Sequence, residues 1–291
     1  MGPRVALVTD STAYLAAEEA AAYSISVVPL RVVVGDTTYA EGPPSVTRLV
    51  SEALRVGERV TTSRPSPLDF LEVYRAAADA GTRAVVSVHL SGELSGTRDA
   101  ARLGALQAPL PVTVVDSRQV GMGLGFAVLA AAGARDRGAA ADEVAETARR
   151  RAARTRTLLY VDTLEHLRKG GRIGAPQAVL GSALAVKPIL HLVDGRLSLL
   201  AKVHTAGRAL AELERRTVAY AGDQDVEVAV HHLGNPGRAE ELATRLRDRI
   251  PRLAGSVVRE AGSVIGAHVG PGMIAVVVSP LEAGVQRVTG E

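Results

Sequence analysis

The feature that most restricts the fold is a rhythm along the first half of the chain. Short apolar runs, Val5 to Val8, Ala84 to Val88 and Val112 to Val115, each end in small or polar residues and lead into helix-forming stretches. Val5 to Val8 closes on Thr9-Asp10-Ser11-Thr12 ahead of the alanine-rich Ala13 to Ala22, the order of strand, cap and helix. A further strand is expected over Ser26 to Val34, with helices over Val46 to Leu54, Pro67 to Ala80, Ser95 to Leu106 and Met122 to Arg137. Strands alternating with helices predict a mainly parallel sheet with helices on both faces.

The rhythm changes after Arg149-Arg150-Arg151, Arg154 and Arg156, a basic run that ends a long helical pattern and complements the helix dipole from solvent. Beyond it the pattern predicts a strand at Leu158 to Val161, helices across Leu164 to Leu184, and strands at Val186 to Leu192 and Arg196 to Val203. Asp194-Gly195 joins the last two runs, a strong hairpin signal that makes the second half mixed or antiparallel. Helices over Ala206 to Ala221 and Gly237 to Arg249 and strands at Val226 to Val230 and Ile274 to Val278 complete it. The expected architecture is α/β in two domains, residues 1–155 and 156–291.

With 47% hydrophobic and 22% charged residues over 291 positions, the chain can bury a sizeable core, and disorder is excluded. Aromatic content of 3% means that this core is walled by Ala, Val, Leu and Ile. The 34 Lys and Arg nearly balance 31 Asp and Glu, and stacking aromatics are scarce, so nucleic acid is not an expected partner. Zero cysteines rule out disulfides, thiolate metal sites and a cysteine nucleophile. MGPRVALVTDST has no charged and then apolar leader, and no apolar run is long enough to cross a bilayer, so a cytoplasmic protein is expected.

Familiar chemical motifs fail one after another. Gly92-Glu93-Leu94-Ser95-Gly96 puts Ser95 one place too late for the Gly-x-Ser-x-Gly nucleophile elbow. A triad defined only by geometry keeps a serine esterase or thioesterase using Ser95 and His268 as the alternative reading. No Gly-x-x-x-x-Gly-Lys-Ser/Thr phosphate loop occurs, and Gly121-Met122-Gly123-Leu124-Gly125-Phe126 places Phe126 where a dinucleotide fingerprint needs its third glycine. His231-His232 would point to opposite faces of a strand, so no metal site is expected. What remains is hydroxyls and glycines in expected turns: Thr61 to Ser66, Ser87 to Thr97 and Gly266 to Gly272.

Jointly these stretches resemble the DegV family of bacterial fatty-acid-binding proteins. The likeness runs through VTDST (Val8 to Thr12), VVPL (Val27 to Leu30), TSRPS (Thr62 to Ser66), LSGT (Leu94 to Thr97), VDS (Val115 to Ser117), LRKGGRIG (Leu167 to Gly174), KPIL (Lys187 to Leu190) and AHVGPG (Ala267 to Gly272). Each is weak alone, but eight in order are specific. The resemblance implies a non-catalytic protein of phospholipid metabolism, holding a long-chain fatty acid in a tunnel between or beside its domains. It also implies presentation of the carboxyl group to a separate fatty acid kinase catalytic subunit, transient contact with a membrane surface, and no cofactor besides the bound lipid. By motif match the carboxylate contacts fall on Thr62, Ser95 and His268, with Ser63, Gly96, Arg172 and His204 at secondary head-group or partner-facing positions. His204 departs from the family, where many members read Lys-Val-Arg-Thr in place of Lys202-Val203-His204-Thr205.

Overall fold

The computed structural model describes residues 5–173 and 186–282. In chain order its strands are β1 Val5–Asp10, β2 Ile25–Val28, β3 Arg31–Val34, β4 Thr37–Ala40, β5 Val60–Ser63, β6 Ala84–His89, β7 Val112–Asp116, β8 Arg156–Tyr160, β9 Lys187–Val193, β10 Arg196–Val203, β11 Val226–His232, β12 Leu253–Glu260 and β13 Ile274–Pro280. The helices are α1 Ala17–Ala22, α2 Pro44–Arg55, α3 Pro67–Asp79, α4 Thr97–Ala105, α5 Met122–Asp136, α6 Ala141–Arg154, α7 Glu165–Lys169, α8 Ala206–Ala221, α9 Pro236–Arg249 and α10 Ser263–Val269.

The chain forms two units that are not contiguous halves. One takes the chain up to Val28, Pro65–Thr155 and the residues from Ser279 on; the other takes Pro29–Arg64 and Arg156–Val278. The expected division into 1–155 and 156–291 is therefore corrected at two places. Pro29–Arg64 belongs with the second unit, and β13 returns the chain to the first. The reason lies at Pro29, which has no N–H to continue a ladder. The single strand expected over Ser26 to Val34 breaks there into β2 and β3, and these belong to different sheets.

The first unit is a parallel sheet in the order β2-β1-β6-β7. Side-chain alternation along its strands feeds two cores. Val5 and Leu7 of β1, Val86 and Val88 of β6 and Val115 of β7 face α5 and α6. Val8, Val85 and the partly buried Ala6, Val112 and Val114 face α3 and α4, where Phe70, Tyr74, Ala100 and Ala101 close the layer. Burial on both faces explains why these strands read as continuous apolar runs.

The second unit contains two sheets. The larger is mixed, ordered β10-β9-β8-β13-β11-β12, with antiparallel pairing from β10 through β13 and parallel pairing of β11 with β12. Asp194 and Gly195 both take positive φ, 49° and 82°, in the turn of the β9–β10 hairpin their sequence predicts. Helices α8 and α9 cover one face through Leu213, Leu242 and Leu246. The smaller sheet, β4-β3-β5, is antiparallel, and its Val32 and Val34 pack with Val46 and Val50 of α2 and Ala267 of α10. Several elements here run against expectation, among them β4, which pairs with β3 where no strand is predicted. Thr61 to Ser63 form strand β5 instead of a turn, Ser263–Val269 form a helix, and β12 pairs in a stretch with no predicted strand. Of the helices expected across Leu164 to Leu184, α7 is present and the remainder lies outside the described residues.

Candidate functional site

In the first unit the connection from β1 runs to β2 on one side and the connection from β6 runs to β7 on the other, so they diverge between β1 and β6. That reversal is the switch point at which open parallel sheets present ligand sites beyond the carboxyl ends of their strands. Both hydroxyl-rich loops of this unit start there, Ser11 to Ala13 after β1 and Leu90 to Gly96 after β6.

The second of these loops is held amide by amide. Leu90 N–H donates to Asp10 Oδ2 at 3.0 Å and Ser91 N–H to the Gln119 carbonyl at 2.9 Å. Gly92 N–H donates to the Asp116 carboxylate at 3.3 Å and Glu93 N–H to Ser91 Oγ at 3.2 Å. The Ser91 carbonyl accepts Leu94 N–H at 3.0 Å and Ser95 N–H at 3.1 Å. Ser95 Oγ in turn accepts Thr97 N–H at 3.3 Å and shares a 2.8 Å hydrogen bond with Thr97 Oγ1 at the start of α4. Ser91 is fully buried and shapes the turn, whereas Ser95 is partly exposed and Glu93 is exposed. Gly96 sits at the cap of α4.

In the second unit, alternation along β5 turns Thr62 inward with Val60 and leaves Thr61 and Ser63 exposed. Thr62 Oγ1 meets His268 Nε2 at 2.8 Å. His268 stands on α10, and burial, with the Arg172 charge adding to it, pushes its pKa down to about 4. The imidazole is therefore neutral at pH 7, with one nitrogen donating and the other accepting. Arg172 donates from Nη1 to the Gly170 carbonyl, and burial lowers its pKa.

Two glycines make that arrangement sterically feasible, and they do so reciprocally. A Cβ on Gly170 of the LRKGG stretch would collide with His268 Nδ1, and a Cβ on Gly270 of AHVGPG would collide with the His166 ring. Gly270 also has φ of 74°, a conformation side chains resist. The segment from His166 to Gly170 thus seats His268, and the motif carrying His268 makes room for His166.

The structure therefore joins Thr62 directly to His268, with Arg172 beside His268, and places Ser95 and Gly96 on the loop after β6. His204 is exposed immediately before Thr205, whose Oγ1 accepts Arg208 N–H to cap α8. The esterase alternative finds no support: Ser95 Oγ is bonded to Thr97 and His268 Nε2 to Thr62. Sequence reasoning assigned no role to Asp10, Asp116, Gly170 or Gly270. Their signal lay in the VTDST, VDS, LRKGG and AHVGPG strings, where each was legible as a motif member and none as a support. Among the described residues no cluster of three or more His, Asp or Glu could hold a metal ion, and no helix is long and apolar enough to cross a membrane.

A parallel four-stranded sheet with a switch-point hydroxyl loop, together with a mixed sheet and a part-buried Thr–His pair, gives the α/β architecture of DegV proteins. The chain belongs to the DegV family: the family model, described as an uncharacterised protein of that family, matches residues 4–281. A DegV domain-containing protein of Streptomyces coelicolor is 53% identical, covering 96% of this chain and 99% of its own. One from Mycobacterium tuberculosis is 36% identical over 94% of this chain and 96% of its own. Among solved structures, a DegV family protein from Thermus thermophilus, described as binding fatty acid, superposes with a TM-score of 0.89 at 33% identity, covering 96% of this chain and all of its own. DegV of Bacillus subtilis, described as a fatty acid binding protein, gives 0.86 at 28% identity over 96% of this chain and 100% of its own.

Proposed function

We propose that this protein binds a long-chain fatty acid in the cytoplasm and offers its carboxyl group to a separate fatty acid kinase catalytic subunit, carrying out no chemistry of its own. The observation that carries this reading is the neutral His268 bonded to Thr62 in a partly desolvated setting. With the imidazole donating to Thr62 Oγ1, the hydroxyl proton is free to donate to a carboxylate. A buried carboxylate needs such donors, because an unpaired charge in an apolar environment is prohibitive. Arg172, also held below its ordinary pKa by burial, adds favourable charge beside the pair. In the same reading Ser95 supplies a further hydroxyl to the carboxylate, and Ser63, Gly96 and His204 serve at the head group or toward the kinase. The described fatty-acid-binding relatives support it.

Magnitudes divide the labour between the two ends of the ligand. At roughly 0.8 kcal/mol per buried CH₂, a long acyl chain offers on the order of 10 kcal/mol before ordering costs. Neutral hydrogen bonds contribute about 1 kcal/mol each. The tail retains the ligand, in a core whose aliphatic walls suit it, and the polar residues set register and pose. Mass spectrometry of lipid extracted from the purified protein tests the ligand class. A stoichiometric fatty acid is expected, and its absence after expression with exogenous fatty acid would refute the reading. Acyl-phosphate formation with a cognate kinase tests the presentation step. A lower rate for wild type than for His204→Arg is expected, and equal rates would remove His204 from the coupling.

A further inference from the structure

Beneath the loop that carries Ser95 lies a chain of buried, hydrogen-bonded side chains. Tyr74 Oη donates to Ser87 Oγ at 2.9 Å, Ser87 Oγ meets His89 Nε2 at 2.7 Å, and His89 Nδ1 meets Asp10 Oδ2 at 3.0 Å. Ser87, His89, Asp10 and Tyr74 are all 0% exposed. The order Ser–His–Asp is that of a hydrolytic triad, but a serine wholly enclosed and already bonded to a tyrosine has no access to substrate.

For a neutral His89, the direction of every proton in this chain follows from its Asp10 end. Asp10 accepts Thr12 N–H at 3.1 Å, Thr12 Oγ1–H at 2.5 Å and Leu90 N–H at 3.0 Å, all suited to a carboxylate that can only accept. His89 must then donate from Nδ1, which makes Nε2 of a neutral ring an acceptor. Ser87 must donate to that acceptor, and its oxygen accepts from Tyr74. Burial raises the Tyr74 pKa to about 12, so its proton stays in place at neutral pH. The Phe70 ring edges the imidazole at 5.0 Å between centroids and fixes its plane. The chain bridges β6 to β1 at the switch point, and its last member holds the first amide of the Leu90–Gly96 loop.

We propose that His89 is a positioning residue for the head-group loop: as its Nδ1–H tautomer, it locks the Asp10 carboxylate in the orientation that anchors Leu90 and thereby places Ser95. The inference rests on the reading of Ser95 as a carboxylate contact, although the loop-anchoring part can be tested without any ligand. Its specific content is that the bond to Asp10 matters more to ligand discrimination than the bond to Ser87.

Two substitutions separate these bonds. His89→Asn puts an amide donor near the place of Nδ1 and loses the Nε2 acceptor, while His89→Leu loses both. The first readout is the ratio of affinities for hexadecanoate and hexadecanol. Loss of the positioning should cut the acid-over-alcohol preference by about fivefold to tenfold in His89→Leu. His89→Asn should stay within about twofold of wild type, and hexadecanol affinity should hardly move in either variant. The second readout is nitrogen NMR of the wild-type imidazole, where an Nδ1–H tautomer is expected, joined by faster amide exchange at Leu90 and Ser95 in His89→Leu. An Nε2–H tautomer, an equal loss for acid and alcohol, or failure of His89→Asn to rescue the ratio overturns the proposal. Wild type that binds neither probe refutes the fatty-acid reading instead, and the tautomer and exchange data then judge the anchoring alone.

Discussion

The loop after β6 and the Thr62–His268 pair hold polar side chains in place by different physical means. The loop is fixed by acceptors: Asp10 at the end of β1 and Asp116 at the end of β7 each take its amides, and Ser91 takes three more through its hydroxyl and carbonyl. The pair is fixed by space: Gly170 and Gly270 leave room for exactly the rings of His268 and His166, and the setting keeps His268 neutral. Electrostatic anchoring tolerates changes of shape and fails when a charge is removed. Steric seating tolerates changes of charge and fails when a methyl group is added.

The sharpest way to break the comparison is at Asp10. Asp10→Ala strands Leu90 N–H, Thr12 N–H and His89 Nδ1 in surroundings with almost no solvent. At about 1–3 kcal/mol for each of these unsatisfied buried groups, a loss of at least about 3 kcal/mol is expected by urea unfolding. Asp10→Asn keeps one acceptor oxygen and should lose less. Equal losses in the two variants would show that the loop does not depend on this anchoring. On the other side Gly270→Ala adds a methyl group against His166 at a positive φ. Left-handed strain of about 1–2 kcal/mol and overpacking of about 1–3 kcal/mol predict a loss of about 3 kcal/mol. A loss below about 1 kcal/mol would mean that His166 moves aside freely.

A smaller effect separates the two regions by pH. His268 has a folded pKa of about 4 against 6.5 for the ordinary imidazole, so the unfolded chain binds more protons between those values and stability falls as pH drops through that window. Between pH 7 and pH 5 this one group should cost about 2 kcal/mol. His231, also held at about 4 by burial, titrates in parallel. The measurement is therefore the difference in pH slope between wild type and His268→Gln, and identical slopes would remove the buried neutral imidazole from the account.

What the sequence disclosed follows the same line between regular and relational features. The parallel sheet was legible because β1, β6 and β7 are buried on both faces and read as unbroken apolar runs. The β9–β10 hairpin was legible because Asp194-Gly195 meets the φ demands of its turn locally. Strand β5 was missed because Thr61-Thr62-Ser63 lacks apolar alternation, and only pairing with β3 makes it a strand. The crossing of Pro29–Arg64 into the second unit was missed for the same reason, since a proline marks a break without saying where the chain goes next. At the site, motif matching found Thr62 and His268, which the fold joins. It gave no role to Gly170 and Gly270, because a glycine that makes room for a side chain far along the sequence carries no local signature.

The smallest expected effect bears on which part of a bound lipid the anchored loop serves. Ser95 is partly exposed, and its Oγ bonds Thr97 beside the cap of α4 rather than completing a core. Ser95→Ala removes those local bonds and should cost about 1 kcal/mol or less of stability, in the range of a helix-cap substitution. If an acyl chain contributes on the order of 10 kcal/mol, loss of one hydroxyl contact worth about 1 kcal/mol leaves retention almost intact. The variant should purify with as much lipid as wild type, while phosphorylation of that lipid by a cognate kinase falls about fivefold or more because the head group is less firmly posed. Complete loss of lipid would show instead that the loop governs retention, and the division of labour between tail and head group would have to be reversed.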